Sequence, residues 1–321
     1  MLRILHAYID WIKTWKALPV RSWIAAAESY RAGQYEEAAN LYRKGLVGHP
    51  NHVARHCARL DLAYCLFRVG KYAAAKEELA AVIHSAPKLR EGYIRLARLQ
   101  LWIGQTMEAA WTLRRALRAV GADPELVASY VFAILDNGGP THLLKEALSI
   151  INSLDANDRR HQKIEVAFAR LAIHRKDLTT GKAALTRLAN SSEAPFESVV
   201  AFADLLLSEG KVAQARQQLR RALAVAPNHP RVLSLLATSY LQSGQFYNPD
   251  FARQLAISAC QSSGWVSPKE MHVLAEAYFS ASDRLSALSI AIKAKEAGSK
   301  LLGNYRHVGS IDRLIESLSS P

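Results

Sequence analysis

One set of intervals recurs along this 321-residue chain: an Ala, a Gly seven residues on, an Ala five further, and a Pro twelve beyond that. It occurs as Ala26, Gly33, Ala38, Pro50; as Ala63, Gly70, Ala75, Pro87; and as Ala203, Gly210, Ala215, Pro227. Partial copies follow in Ala97, Gly104, Ala109 with Ala116, in Ala237 with Gly244, and in Ala275, Ser282, Ala287 and Ala294, where Ser282 stands in the Gly slot. With only 16 Gly and 11 Pro in the chain, three identical copies are not coincidence. The spacing predicts a helical hairpin: an apolar-periodic helix, a Gly able to adopt positive φ at its end, and a second helix stopped near Pro. Small residues let the two helices approach, while large ones such as Tyr30, Tyr35, Tyr42 and Leu46 fill the layer between hairpins. A single hairpin cannot bury both its faces, so such units stack and share a core.

The pattern of helix, Gly-containing turn, aromatic, Ala and terminal Pro in GQYEEAANLYRKGLVGHPNH and GKVAQARQQLRRALAVAPNHP resembles the tetratricopeptide repeat family. The resemblance implies an all-α fold, an α-solenoid winding as a right-handed superhelix of about eight hairpins. Five segments are expected. Residues 1–18 form an amphipathic N-terminal helix, 19–123 the N-terminal repeats, 124–195 degenerate repeat-like hairpins, 196–301 the C-terminal repeats, and 302–321 a capping helix and tail. In the degenerate part, Leu126 to Leu135 pairs with Leu143 to Leu154, and Gln162 to His174 with Thr179 to Ala189, without the Gly and Pro landmarks. NGGPTH at 137–142 reads as a turn, and GQFYNPD at 244–250 inserts residues between two helices, with Pro249 suited to a helix start.

In that family the first helix of each hairpin lines a groove that usually holds a peptide. Carried over position by position, this places Trp23, Tyr30 and Arg31, then Tyr64, Phe67 and Arg68, then Glu91, Arg95, Arg98 and Trp102 on or near the groove. Such a basic, aromatic surface suits an acidic or carboxylate-bearing segment. The same residues are also compatible with inter-helix core and a solvated charged face. The paired Lys/Asn pattern with which family members clamp a C-terminal carboxylate is absent, which disfavours a chaperone-tail receptor.

Charge points to the same end of the chain. The sequence carries 41 Lys+Arg and 28 Asp+Glu, net +13, of which residues 1–120 contribute +10 and the remainder +3. In the first eighteen residues, Leu5, Tyr8, Trp11, Ile12 and Trp15 fall on one helical face, with Lys13 and Lys16 nearby in sequence. Three roles remain open for this helix: a cap on the first hairpin, contact with an anionic membrane interface, or docking to a partner helix or second copy. Asp10, Lys13 and Lys16 interrupt any continuous apolar core, unlike a standard signal peptide. The longest uncharged apolar run, Leu126 to Leu135, is too short to span a membrane. Cys57 and Cys65 lie eight residues apart on one predicted helix, roughly 12 Å along its axis and too far to bridge. A cytoplasmic protein, peripheral at the inner membrane face if the leader binds lipid, is the expectation.

Catalytic signals are weak. His49, His52, His56 and Cys57 cluster in sequence but straddle a loop without nearby carboxylates, so neither a metal nor a cofactor is expected. Glu36/Glu37 and Glu77/Glu78 read as solvated faces. Gly138–Pro140 lacks a phosphate-cradling motif. The reading is a non-catalytic scaffold or adaptor, set by analogy in a membrane-associated bacterial assembly such as envelope polysaccharide export or secretion. The alternatives are a nucleic-acid-binding helical repeat, disfavoured because Arg114, Arg115, Arg118, Arg220 and Arg221 form no single stripe, and a non-catalytic activating subunit of an enzyme. Self-association is also compatible with exposed groove aromatics.

Overall fold

The computed structural model describes residues 20–136, 138–303 and 305–319. The predicted N-terminal helix, with Leu5, Tyr8, Trp11, Ile12, Lys13, Trp15 and Lys16, lies outside these residues, as does Asn137 of the NGGPTH turn. Among the described residues there are eighteen helices and no strand. They are α1 (Arg21–Arg31), α2 (Tyr35–Gly48), α3 (Arg55–Arg68), α4 (Tyr72–Ser85), α5 (Arg90–Trp102), α6 (Thr106–Val120), α7 (Pro124–Asp136), α8 (Thr141–Ser153), the short α9 (Ala156–Arg159), α10 (Gln162–His174), α11 (Leu178–Ala189), α12 (Phe196–Ser208), α13 (Val212–Val225), α14 (Pro230–Leu241), α15 (Pro249–Ser262), α16 (Pro268–Ser280), α17 (Arg284–Ser299) and α18 (Val308–Ser319). The chain divides into two compact units, the first running to Leu99 and the second starting at Gln100. That division falls inside α5 and coincides with none of the boundaries read from the repeats.

The hairpin turns follow one construction. After α1 the chain passes through Gly33 at φ +78°, and Gln34 N–H donates back to Ser29 C=O across 2.9 Å. The same bond, closing the last helical turn over a left-handed residue, recurs as Lys71 to Leu66, Gln105 to Gln100, Gly139 to Ile134, Asp177 to Ala172, Lys211 to Leu206 and Asp283 to Tyr278. Gly is absent from two of these turns: Lys176 and Ser282 themselves take φ +68° and +64°. In both, the following aspartate caps the next helix, Asp177 accepting from Thr180 N–H and Asp283 from Ser286 N–H.

The repeated alanines occupy helix crossings. Ala26, Ala63, Ala97, Ala203, Ala237 and Ala275 on first helices, and Ala38, Ala75, Ala109, Ala215 and Ala287 on second helices, are all buried. A larger side chain at such a crossing would force the helices apart. Gly45 has the same role on α2, where an added Cβ would run into the Trp23 indole.

The middle hairpins form as α7/α8 and α10/α11. Helix α7 is buried on almost every side, Leu126 to Ala128 and Tyr130 to Leu135 included, which accounts for its unbroken apolar run. No helix among the described residues is long and apolar enough to cross a membrane. After α14, the inserted loop brings Asn248 N–H onto Tyr240 C=O, and Asn248 caps α15, whose first residue is Pro249. Arg216 holds this loop: its buried guanidinium donates to Ser239 Oγ, Ser239 C=O and Phe246 C=O and lies 3.6 Å from the Tyr240 ring centroid. At the C-terminal end α18 buries Ile311 in the α14–α17 core, with Leu314 and Ile315 packed against it.

Candidate functional site

In the first unit, the outward residues of the first helices keep a fixed distance from the turn. Two residues before the left-handed glycine stand Arg31 and Arg68; six before it stand Ala27, Tyr64 and Arg98; nine before it stand Asp61 and Arg95. These offsets approximate whole helical turns, so they fall on one face of α1, α3 and α5. Arg31, Arg68 and Arg98 lie towards solvent there, and Tyr64 is half-buried between them.

The aromatic part of this face is continuous. Tyr30 meets Tyr64 with ring centroids 5.4 Å apart, Tyr35 meets both, and Tyr64 meets Phe67, which passes the contact on to Tyr72. Arg68 ties it together, donating to Tyr35 Oη at 2.8 Å and Tyr64 Oη at 3.1 Å, with its guanidinium carbon 4.3 Å from the Tyr35 ring centroid. Burial, followed by neighbouring Tyr64, pushes the Tyr30 hydroxyl well above the ordinary tyrosine range, so it remains protonated.

Arg95 serves a different purpose. Its guanidinium donates to Glu91 at 2.8 Å and to Leu60 C=O at 2.9 Å, and pairs with Asp61 at 3.5 Å. Burial raises the Asp61 carboxyl, against the opposing pull of Arg95 and the Tyr42 hydroxyl. This internal network joins α5 to α3 and leaves Arg95 committed.

The second unit contains a different polar site, a basin of about 430 Å³ lined from α5, α7, α10, α12, α14, α16 and the segment before α18. Asp136, at the end of α7, receives Arg170 at 2.6 Å on one oxygen and Arg231 at 2.7 Å on the other. Arg231 also lies 3.6 Å from Asp204. Despite a burial penalty, Arg231 and Arg170 hold the Asp136 carboxyl far below the usual aspartate range. Across the basin Ser267 donates to the buried Glu270 carboxylate, whose pKa burial raises. Other contacts within this unit tie its helices together: Trp102 Nε1–H donates to Ser262 C=O at 2.7 Å, its ring packs on His229, and Leu302 N–H donates to Glu108 at 3.1 Å. Burial, aided by Arg231, lowers the His229 pKa to about 4, leaving a neutral imidazole.

The family model for the tetratricopeptide repeat matches residues 29–93 and 206–246, two stretches that form consecutive hairpins of this construction. Over these residues the chain carries tetratricopeptide repeats. No curated protein sequence matches it. Among solved structures, a tetratricopeptide repeat protein from Parabacteroides merdae aligns over 94% of this chain and 98% of its own, at 12% identity and TM-score 0.52. Cut9 of the APC/C hetero-tetramer Cut9–Hcn1 aligns over 92% of this chain and 62% of its own, at 11% identity and TM-score 0.68. Human IFIT1, solved as a dimer with m7Gppp-AAAA, aligns over 91% and 70%, at 16% identity and TM-score 0.51. These likenesses establish a shared fold.

On this tetratricopeptide-repeat framework, the residues expected in the groove separate. Tyr30, Tyr64, Phe67 and Arg68 meet in one cluster, Arg31 and Arg98 flank it at the surface, and Glu91 with Arg95 sits beside it in the internal network. Trp23 does not belong to a groove: it is buried under Gly45 and donates to Tyr42 C=O, because a large ring was needed opposite a residue without a side chain. Trp102 falls in the second unit, where its indole N–H is already engaged. His49 and His52 pack edge-on to Trp23, and His52 Nδ1 accepts from Ala54 N–H.

Tyr35, Asp61 and the Asp136 network were missed. Asp61 and Arg95 share one repeat position 34 residues apart, which a column-by-column reading of the repeats would have revealed. Arg170 and Asp204 likewise stand six residues before their turns, but Lys176 in the Gly slot hid the register of Arg170.

Proposed function

We propose that this protein is a non-catalytic scaffold that takes an extended acidic protein segment along the outer face of α1, α3 and α5. Repeats of this family serve in general as protein-interaction scaffolds, and Cut9, which shares the fold, is assembled with Hcn1. The observation carrying the reading is the alignment of Arg31, Arg68 and Arg98 around the Tyr30–Tyr64–Phe67 cluster. Rigid aromatic area supplies contact at low entropic cost, and guanidinium groups pair with carboxylates in two-pronged geometry. The N-terminal segment would then hold the scaffold at an anionic membrane surface or against a partner, consistent with a peripheral cytoplasmic position in a bacterial envelope assembly.

Photo-cross-linking tests this placement. With benzoyl-phenylalanine at Tyr64 or at Arg43, on the second helix of the first hairpin, a labelled Glu-rich peptide containing aromatic residues should couple from position 64 and not from 43. Equal coupling from both sites would contradict the assigned face. Preferential coupling of a capped oligonucleotide, the type of ligand held by IFIT1, would favour the nucleic-acid alternative. For the N-terminal segment, cosedimentation with anionic but not neutral liposomes, lost when residues 1–18 are removed, is the expected result.

A further inference from the structure

We propose that the basin of the second unit binds the phosphate group of a small organic phosphate. This goes beyond the scaffold reading and uses none of its residues. Two cations lining the basin, Lys269 in the first turn of α16 and Arg306 before α18, make no ion pair or side-chain hydrogen bond among the described residues. Arg231 brings a third donor, because its Nε–H is buried without a partner while its two terminal nitrogens engage Asp136 and Asp204.

The acids at the same site are already engaged. Asp136 spans two guanidiniums, Asp204 faces Arg231, and Glu270 accepts from Ser267. Four cationic side chains therefore face three acids, a surplus of one positive charge, and Lys269 and Arg306 are the two cations not held in an ion pair. A phosphate monoester carries a charge of about −1.5 to −2 at neutral pH and three acceptor oxygens, matching two uncommitted cations and an unused N–H. A carboxylate could bridge two cations, as Asp136 does, but it brings a single charge and no third oxygen for the unused N–H. The volume of about 430 Å³ also leaves room beyond the phosphate, against the apolar surfaces of Leu101, Leu235 and Tyr305.

Calorimetric titration of the full chain tests this with adenosine 5′-monophosphate and glucose 6-phosphate, alongside adenosine and inorganic phosphate. Saturable binding of either organic phosphate, tighter than inorganic phosphate and absent for adenosine, is the expected result. The Lys269→Gln/Arg306→Gln variant should bind at least about tenfold more weakly, as expected for lost charge-assisted bonds. Its thermal unfolding should match the wild type, since neither side chain is paired. An Arg31→Gln/Arg98→Gln variant, altered in the first unit, should retain full binding. The proposal is overturned if neither organic phosphate binds, if adenosine binds equally well, if the basin variant binds like the wild type, or if both variants lose binding alike.

Discussion

Lys176 and Ser282 occupy backbone conformations that side chains resist. A non-glycine residue in the left-handed region costs roughly 1–2 kcal/mol, offset in part by the greater unfolded-state entropy of glycine. Ser282→Gly is therefore expected to stabilise the protein by about 0.5–1 kcal/mol in urea unfolding; destabilisation would show that the Ser282 side chain contributes more than its backbone costs. The opposite result is expected at an alanine crossing. Ala215 is fully buried, and Ala215→Leu should cost roughly 1–3 kcal/mol through overpacking, read as a lower urea midpoint. At this scale the sequence was legible wherever a residue has one conformational or steric use: Gly at the turns, Ala at the crossings. Lys176 carries no such signature, because the bond closing its turn is made by the backbone of Asp177 and Ala172. Trp23 was misread for a related reason: a tryptophan on the same helix as the exposed Arg31 looks like surface until Gly45 is found beneath it.

Among the elements, the inserted loop between α14 and α15 rests on one buried cation. Burial lowers the Arg216 pKa, and among the described residues no carboxylate compensates it, so its three hydrogen bonds and ring contacts hold the charge in place. Arg216→Ala should cost about 2–4 kcal/mol and open residues 242–248 to limited proteolysis, while Arg216→Lys, lacking the planar fork, should rescue little. Unchanged cleavage in the alanine variant would show that Pro249 and the Asn248 cap hold the loop unaided. Hairpins were readable from periodicity throughout, even where landmarks fade. The buried α7 advertised itself by its ten-residue apolar run. The short α9 did not, since a single turn fixed by Asp155 accepting from Asn157 and Asp158 N–H has no periodicity to read.

The whole molecule should be acid-sensitive for reasons distinct from its basic surface. His229 and His272 are both held neutral by burial, with pKa values of about 4 against 6.5 when unhindered. Between those limits the unfolded chain takes up protons that the folded one refuses, so stability falls with acid by up to roughly 1.4 kcal/mol per pH unit for each histidine. Asp136 acts in the same direction lower down: its depressed pKa supports the fold above the ordinary aspartate value of 3.8, and that support is lost as pH falls below it. Urea unfolding at pH 7 and about pH 4.5 should differ less in a His229→Gln/His272→Gln variant than in the wild type. An equal difference would assign the acid response to other groups.

Function belongs to this scale as well, because no single repeat holds the exposed arginines together with the tyrosine cluster. The most direct measurement is fluorescence anisotropy of a labelled Glu-rich peptide with aromatic residues, titrated at about 150 mM salt so that long-range attraction is screened. Relative to the wild type, Arg31→Glu/Arg98→Glu is expected to bind at least about tenfold more weakly while keeping its helical circular-dichroism spectrum. Equal affinity in the two proteins would contradict the proposal that this face receives the partner.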